Sequence, residues 1–134
     1  IACGGICRTP LLLETTLDET TGAPITALSH VRSRRVLTKR TAAALQALLA
    51  GVVAGGTGHE AALPGQTAAG KTGTAQTGQF SSGTELKNYW FAGFVPAEQP
   101  RYTIVVLQDT QAEPAFSSAA IFARVAAGLE ILAP

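Results

Sequence analysis

The chain has 134 residues, the scale of a single domain with one core. Apolar residues make up 46% and charged residues 14%, which excludes a chain kept disordered by charge. A net charge of +1 excludes a strong global pull toward nucleic acid or anionic lipid, so no nucleic-acid partner is expected. No stretch is clean and long enough to span a bilayer: the apolar run at 42–54 contains Gln46, and the run at 119–133 contains Arg124 and Glu130. There is no methionine and the first residue is Ile1, so a longer parent is expected, with any targeting signal or anchor elsewhere in it.

Cys3 and Cys7 are the only cysteines, too few for a disulfide framework, and their pairing is left open. His30 and His59 are too scattered to complete a zinc site, so no metal is expected, and nothing calls for a cofactor. Residues 6–13 are apolar-rich and suggest a strand broken by Pro10. The stretch Asp18-Glu-Thr-Thr-Gly-Ala-Pro24 suggests a surface turn. Arg32, Arg34, Arg35, Lys39 and Arg40 carry half of the positive charge. With no interleaved aromatics, they suggest a solvated loop leading into a helix rather than a nucleic-acid patch.

The spacing predicts a helix over 38–54. Thr41, Leu45, Leu48, Leu49, Val52 and Val53 recur on one face, Thr38 is placed to cap the start, and Gly55-Gly56 stops the end. Residues 55–65 and 78–83 are expected as loops, with the small, Thr-rich stretch 68–76 between them. Residues 89–95 and 102–107 are rich in aromatic and β-branched side chains and suggest an antiparallel hairpin across the short segment 96–101, with Trp90, Phe91 and Phe94 as core. A final helix is expected over 118–132, capped by Ser117 or Ser118, with Ile121, Phe122, Val125, Leu129 and Leu132 as its apolar stripe. The fold class is therefore α+β, an antiparallel sheet packed against helices.

One motif admits two readings. Gly65-Gln-Thr-Ala-Ala-Gly70-Lys71-Thr72 fits the phosphate-loop pattern of nucleotide-binding proteins. That mechanism needs a helix after the lysine, whose N-terminal amides hold the phosphates. The residues that follow, Gly73-Thr-Ala-Gln-Thr-Gly78, are poor helix formers, so the nucleotide reading is the lesser alternative. The other reading places Lys71-Thr72-Gly73-Thr74 on a strand, the K-T-G element of penicillin-recognising enzymes.

With Asn88-Tyr-Trp-Phe-Ala-Gly-Phe-Val-Pro96, Arg101-Tyr-Thr-Ile-Val-Val-Leu-Gln108 and the upstream Gly56-Thr-Gly58, residues 1–134 resemble the C-terminal portion of a penicillin-binding-protein transpeptidase domain. The resemblance covers nearly the whole chain and is nearest to the monofunctional type. It implies a partial penicillin-binding/β-lactamase-like fold that includes the K-T-G strand and the hairpin after it. It further implies a peptidoglycan D,D-transpeptidase working through an acyl-serine, with the D-Ala-D-Ala end of a stem peptide, or a β-lactam, as partner. By the family pattern Lys71 supplies positive charge, and Thr72 and Thr74 offer hydroxyls to the substrate carboxylate. The Thr74 N–H is one oxyanion donor, and Gly73 lets the ligand approach the backbone. Gln76, at the strand's end, is a candidate substrate contact. Strand alternation puts Thr72 and Thr74 on one face, so Lys71 has to reach the site from the other.

The departures are specific. No serine has a lysine three residues on, and S-x-N is absent, so the nucleophile of the covalent route is expected outside this chain. The chain alone should be inactive. A matching part of a serine β-lactamase or a β-lactam sensor remains an alternative. The parent is expected at the extracytoplasmic face of a bacterial membrane. The resemblance also leaves the strand at 102–107 without a second neighbour. Self-association through that edge, or its cover by residues 6–13, is expected.

Overall fold

The computed structural model describes residues 1–11, 15–27, 32–110, 112 and 114–132. Ser29, His30 and the end of the 6–13 segment lie outside the described residues. In chain order the elements are β1 (Ile6–Arg8), β2 (Thr15–Leu17), β3 (Pro24–Ala27), β4 (Ser33–Arg35), α1 (Lys39–Gly55), a 3₁₀ turn (His59–Ala61), β5 (Ala69–Ser81), β6 (Thr84–Val95), β7 (Tyr102–Thr110) and α2 (Ser118–Leu132). Antiparallel sheets packed with two helices give the α+β class read from the sequence.

Ahead of α1 the strands form two small antiparallel pairs, β1 with β4 and β2 with β3. The strand expected over 6–13 stops at Arg8, short of Pro10, and Thr9 continues the pairing, its N–H and its hydroxyl donating to Arg32 O at 2.9 and 3.3 Å. Its partner is the arginine stretch: Ser33–Arg35 is a strand, not the loop expected there, because β1 satisfies its backbone while its side chains stay in water. The Asp18 turn joins β2 to β3. Asp18 Oδ1 accepts from the backbone N–H groups of Thr20 (3.0 Å) and Thr21 (2.7 Å) and from the Thr21 hydroxyl (2.9 Å).

In α1, Thr38 Oγ1 accepts from the Thr41 N–H at 3.0 Å, the expected N-cap, and the Gly56 N–H closes the end on Val52 O. The face that packs overlaps the expected stripe at Leu45, Leu49, Val52 and Val53, and departs from it at two positions. Ala42 and Val53 are buried, whereas Leu48 is 69% exposed and Thr41 is exposed. Small side chains let the helix lie close to β5, and the larger leucine is turned away. In α2 the buried residues are Ser118, Ala119, the expected Phe122 and Ala126, while Val125 of the expected stripe is exposed. The expected 55–65 loop contains the 3₁₀ turn, whose Ala61 is fully buried against α2 and the sheet.

The main sheet is a three-stranded antiparallel meander, β5-β6-β7. The loop expected at 78–83 is instead the end of β5, and only Ser82-Gly83 turns the chain. Both have positive φ (50° and 80°), which a two-residue hairpin of the twisted type requires. A register shift between Gln76 and Phe80 absorbs the glycine-rich stretch. Glu85 holds it there: its carboxylate accepts from Gln76 Nε2 (2.8 Å) and from the Gly78 N–H (3.1 Å), while Thr77 Oγ1 donates to Leu86 O (2.8 Å).

One sheet face packs on α2, where Phe91 and Phe122 meet edge-to-face at 4.9 Å. Gly70 and Gly93 are paired in register beneath these rings. A Cβ at Gly70 would fall 2.5 Å from the Phe91 ring, and one at Gly93 would fall 2.9 Å from Phe122, so both must stay bare. The opposite face is covered at one end by Ala2, Leu49 and Ala50 over Ala69 and Phe94. Further along it Trp90, Val105 and Leu107 are exposed at 37, 57 and 46%. Phe91 and Phe94 are thus core, as expected, and Trp90 is not, because no helix reaches that far along its face.

Candidate active site

The Lys71-Thr72-Gly73-Thr74 run lies within β5, whose one hydrogen-bonded neighbour among the described residues is β6. A strand, and not a helix, follows the lysine, so the phosphate-loop geometry is not formed. Thr72 and Thr74 pair across β6 with Phe91 and Tyr89, which places both on the α2 face. There they border an open cleft of about 320 Å³, together with Gly73 and with Thr57 from the turn after α1. Ala115, Ser117 and Ser118 form the facing wall.

The threonine hydroxyls are organised before any ligand arrives. Thr57 Oγ1 and Thr72 Oγ1 share a hydrogen bond at 3.1 Å. Lys71, on the other side of the strand, turns its Nζ back to donate to Thr72 O at 2.9 Å and to Thr72 Oγ1 at 3.3 Å. That is how a lysine pointing away from the cleft brings its positive charge beside a hydroxyl that faces it. Gly73 has no structural need to be bare, since a Cβ there would make only an ordinary 3.5 Å contact with Trp90. Gln76 is not part of the cleft lining, and its amide is engaged by Glu85 further along the hairpin.

The facing wall is fixed by the helix cap expected at Ser117 or Ser118 and by further hydrogen bonds that the sequence did not disclose. Ser117 is the helix cap, its Oγ accepting from the Ala120 N–H at 3.1 Å. Ser118 is buried at 4% exposure. Its hydroxyl donates to Tyr89 O and accepts from Gln108 Nε2, both at 2.9 Å. Thr57 had a sequence signal, its place between Gly56 and Gly58. Gln108 and the inward role of Ser118 had none, because they depend on how α2 sits on the sheet. Among the described residues no group of three or more His, Cys, Asp or Glu side chains converges as a metal site would require.

Residues 1–127 match the penicillin binding protein transpeptidase domain. Among curated proteins, the chain is 31% identical over 144 residues to the penicillin-binding protein PbpB of Mycolicibacterium smegmatis, covering 96% of this chain and 22% of that one. It is similar to penicillin-binding protein 3 of Mycobacterium tuberculosis complexed with aztreonam (TM-score 0.82, 31% identity, 99% of this chain and 33% of that one). It is also similar to penicillin-binding protein A of M. tuberculosis in an imipenem acyl-enzyme complex (TM-score 0.75, 29% identity, 96% and 28%). The chain spans about a fifth of the length of the first curated relatives it matches. Its K-T-G strand, hairpin and flanking helices are part of that shared fold, and the chain belongs to the penicillin-binding-protein transpeptidase family.

Proposed function

We propose that this chain supplies the Lys71–Thr74 wall of a peptidoglycan D,D-transpeptidase, which cross-links stem peptides through an acyl-serine and is acylated by β-lactams. The observation that carries the reading is the Lys71–Thr72–Thr57 arrangement on an open strand edge beside a cleft, in a chain of this family. An anionic ligand carboxylate needs a nearby cation and hydroxyl donors, and Lys71, Thr72 and Thr74 supply both. The Thr74 N–H serves as one oxyanion donor, prepositioned because its strand is held by β6. Gly73, bare without any packing reason, leaves the backbone approachable.

The nucleophile and its lysine belong to residues beyond this sequence, since no serine here stands three positions before a lysine. The serine attacks the D-Ala-D-Ala carbonyl, the terminal D-Ala leaves as an amine, and a second stem peptide's amine releases the acyl group. The chain is inactive alone, and its full-length protein works at the extracytoplasmic face of a bacterial membrane. No helix among the described residues is long and apolar enough to cross that membrane itself.

A fluorescent penicillin and a denaturing gel test this. The full-length protein should carry a covalent band and the 134-residue chain none. Lys71→Ala in the full-length protein should slow acylation by roughly 100-fold, the scale of losing one preorganised electrostatic group. A band on the chain alone would place the nucleophile within it. An acylation rate unchanged by Lys71→Ala would make that lysine a surface residue.

A further inference from the structure

A single cross-strand row runs Thr74, Tyr89, Gln108 from β5 through β6 to β7. The alternation of strand residues puts all three side chains on the α2 face, the face of the cleft. From the end of that row, Gln108 Nε2 donates to Phe116 O at 3.1 Å and to Ser118 Oγ at 2.9 Å. The Ser118 hydroxyl passes the connection back to the middle of the row, donating to Tyr89 O at 2.9 Å. The three bonds close a loop of contacts around the base of the wall that faces Thr74. Because Ser118 is buried, losing a partner there is not made good by water.

We propose that Gln108 is a positioning residue for ligand recognition. It pins the 114–118 wall at a set distance from Thr74 and so determines how the apolar side chain of an acyl donor is accommodated. Gln108 itself does not line the cleft, whereas Pro114 and Ala115 do, and they give the wall an apolar flank opposite the hydroxyls of Thr72 and Thr74. A ligand whose carboxylate lies on the threonine side therefore presents its acyl side chain to the pinned wall. A ligand without such a side chain does not touch it. The proposal rests on the transpeptidase reading of the cleft.

The test compares acylation of the full-length protein by benzylpenicillin, which carries a bulky apolar side chain, and by 6-aminopenicillanic acid, which carries none. Gln108→Leu keeps the size of the side chain and removes its donor. It should slow acylation by benzylpenicillin about tenfold and leave that by 6-aminopenicillanic acid within about twofold. Ser118→Ala breaks the same connection from the other end and should shift the ratio in the same direction. Equal losses for both compounds, no loss for either, or failure of both variants to fold would each make Gln108 merely structural and overturn the proposal. If the unaltered full-length protein is acylated by neither compound, the transpeptidase reading falls first and this proposal with it. Normal acylation of the unaltered protein with an unmoved ratio removes the proposal alone.

Discussion

Gly70 and Gly73 stand three positions apart in one strand and are glycines for different reasons. At Gly70 an added methyl meets the Phe91 ring and the Ala92 carbonyl, neither of which can yield without disturbing the core. Gly70→Ala should therefore destabilise the protein by about 1–3 kcal/mol in a denaturant titration. Gly73→Ala should change stability by less than about 0.5 kcal/mol, since its methyl meets only Trp90 at van der Waals distance. Its effect should appear instead as slower β-lactam acylation of the full-length protein, measured with the same fluorescent penicillin. Asp18 provides a residue-scale pH response. The Thr21 N–H first, then the Thr21 hydroxyl and the Thr20 N–H, hold its carboxyl below the usual aspartate range. The contribution of this turn is fully present above the ordinary carboxylate pKa, near 4, and is lost as pH falls through the lowered one. Amide chemical shifts of Thr20 and Thr21, followed by NMR through an acid titration, should move below that ordinary range. A transition centred at the unperturbed value would show that the carboxylate is not held by these bonds.

At the scale of elements, the sequence located both helices to within a residue and named the right cap of α1. Thr38→Ala should cost about 1 kcal/mol, measured by thermal unfolding. Which face of each helix packs was less legible. A helix rich in alanine and leucine offers several overlapping apolar stripes, and periodicity names them without saying which one the sheet can approach. The expected Val53 and Phe122 are buried, but the closest packing falls on alanines outside the expected stripes, Ala42 in α1 and Ala119 and Ala126 in α2, while Leu48 and Val125 are exposed. Val53→Ala should consequently destabilise more than Leu48→Ala, although leucine is the larger side chain, because Leu48 remains in water. The end of β5 was hidden for a related reason. Glycine, serine and glutamine at 78–82 signal a loop locally, and only the Glu85 carboxylate, across the hairpin, turns them into strand. The K-T-G strand was legible because its motif and its flanks agree. The Ser118 network was not, because adjacent helix positions differ by about 100° in direction and nothing local tells Ser117 from Ser118.

At the scale of the whole molecule, the meander ends at β7 with no strand on its outer side among the described residues. The expected cover of this edge by residues 6–13 is not met by their described part, since Ile6–Arg8 is paired with Ser33–Arg35. The edge adjoins the face on which Trp90, Val105 and Leu107 are exposed, and a bare edge beside a bare apolar face favours association. The isolated 134-residue chain should therefore self-associate at micromolar concentrations, as read by light scattering. A monomer whose Tyr102–Thr110 amides exchange rapidly would contradict this. Trp90, at the middle of the uncovered face, is also the single tryptophan of the chain. Its position makes it an optical probe: the indole emits at longer wavelength in water than in an apolar setting, and excitation at the red edge of its absorption, where the two tyrosines do not absorb, isolates its signal. A shift of emission to the blue, with reduced quenching by iodide, would accompany whatever comes to lie on that face. The fluorescence of the unlabelled protein thus reports the covering of the sheet independently of any catalytic assay.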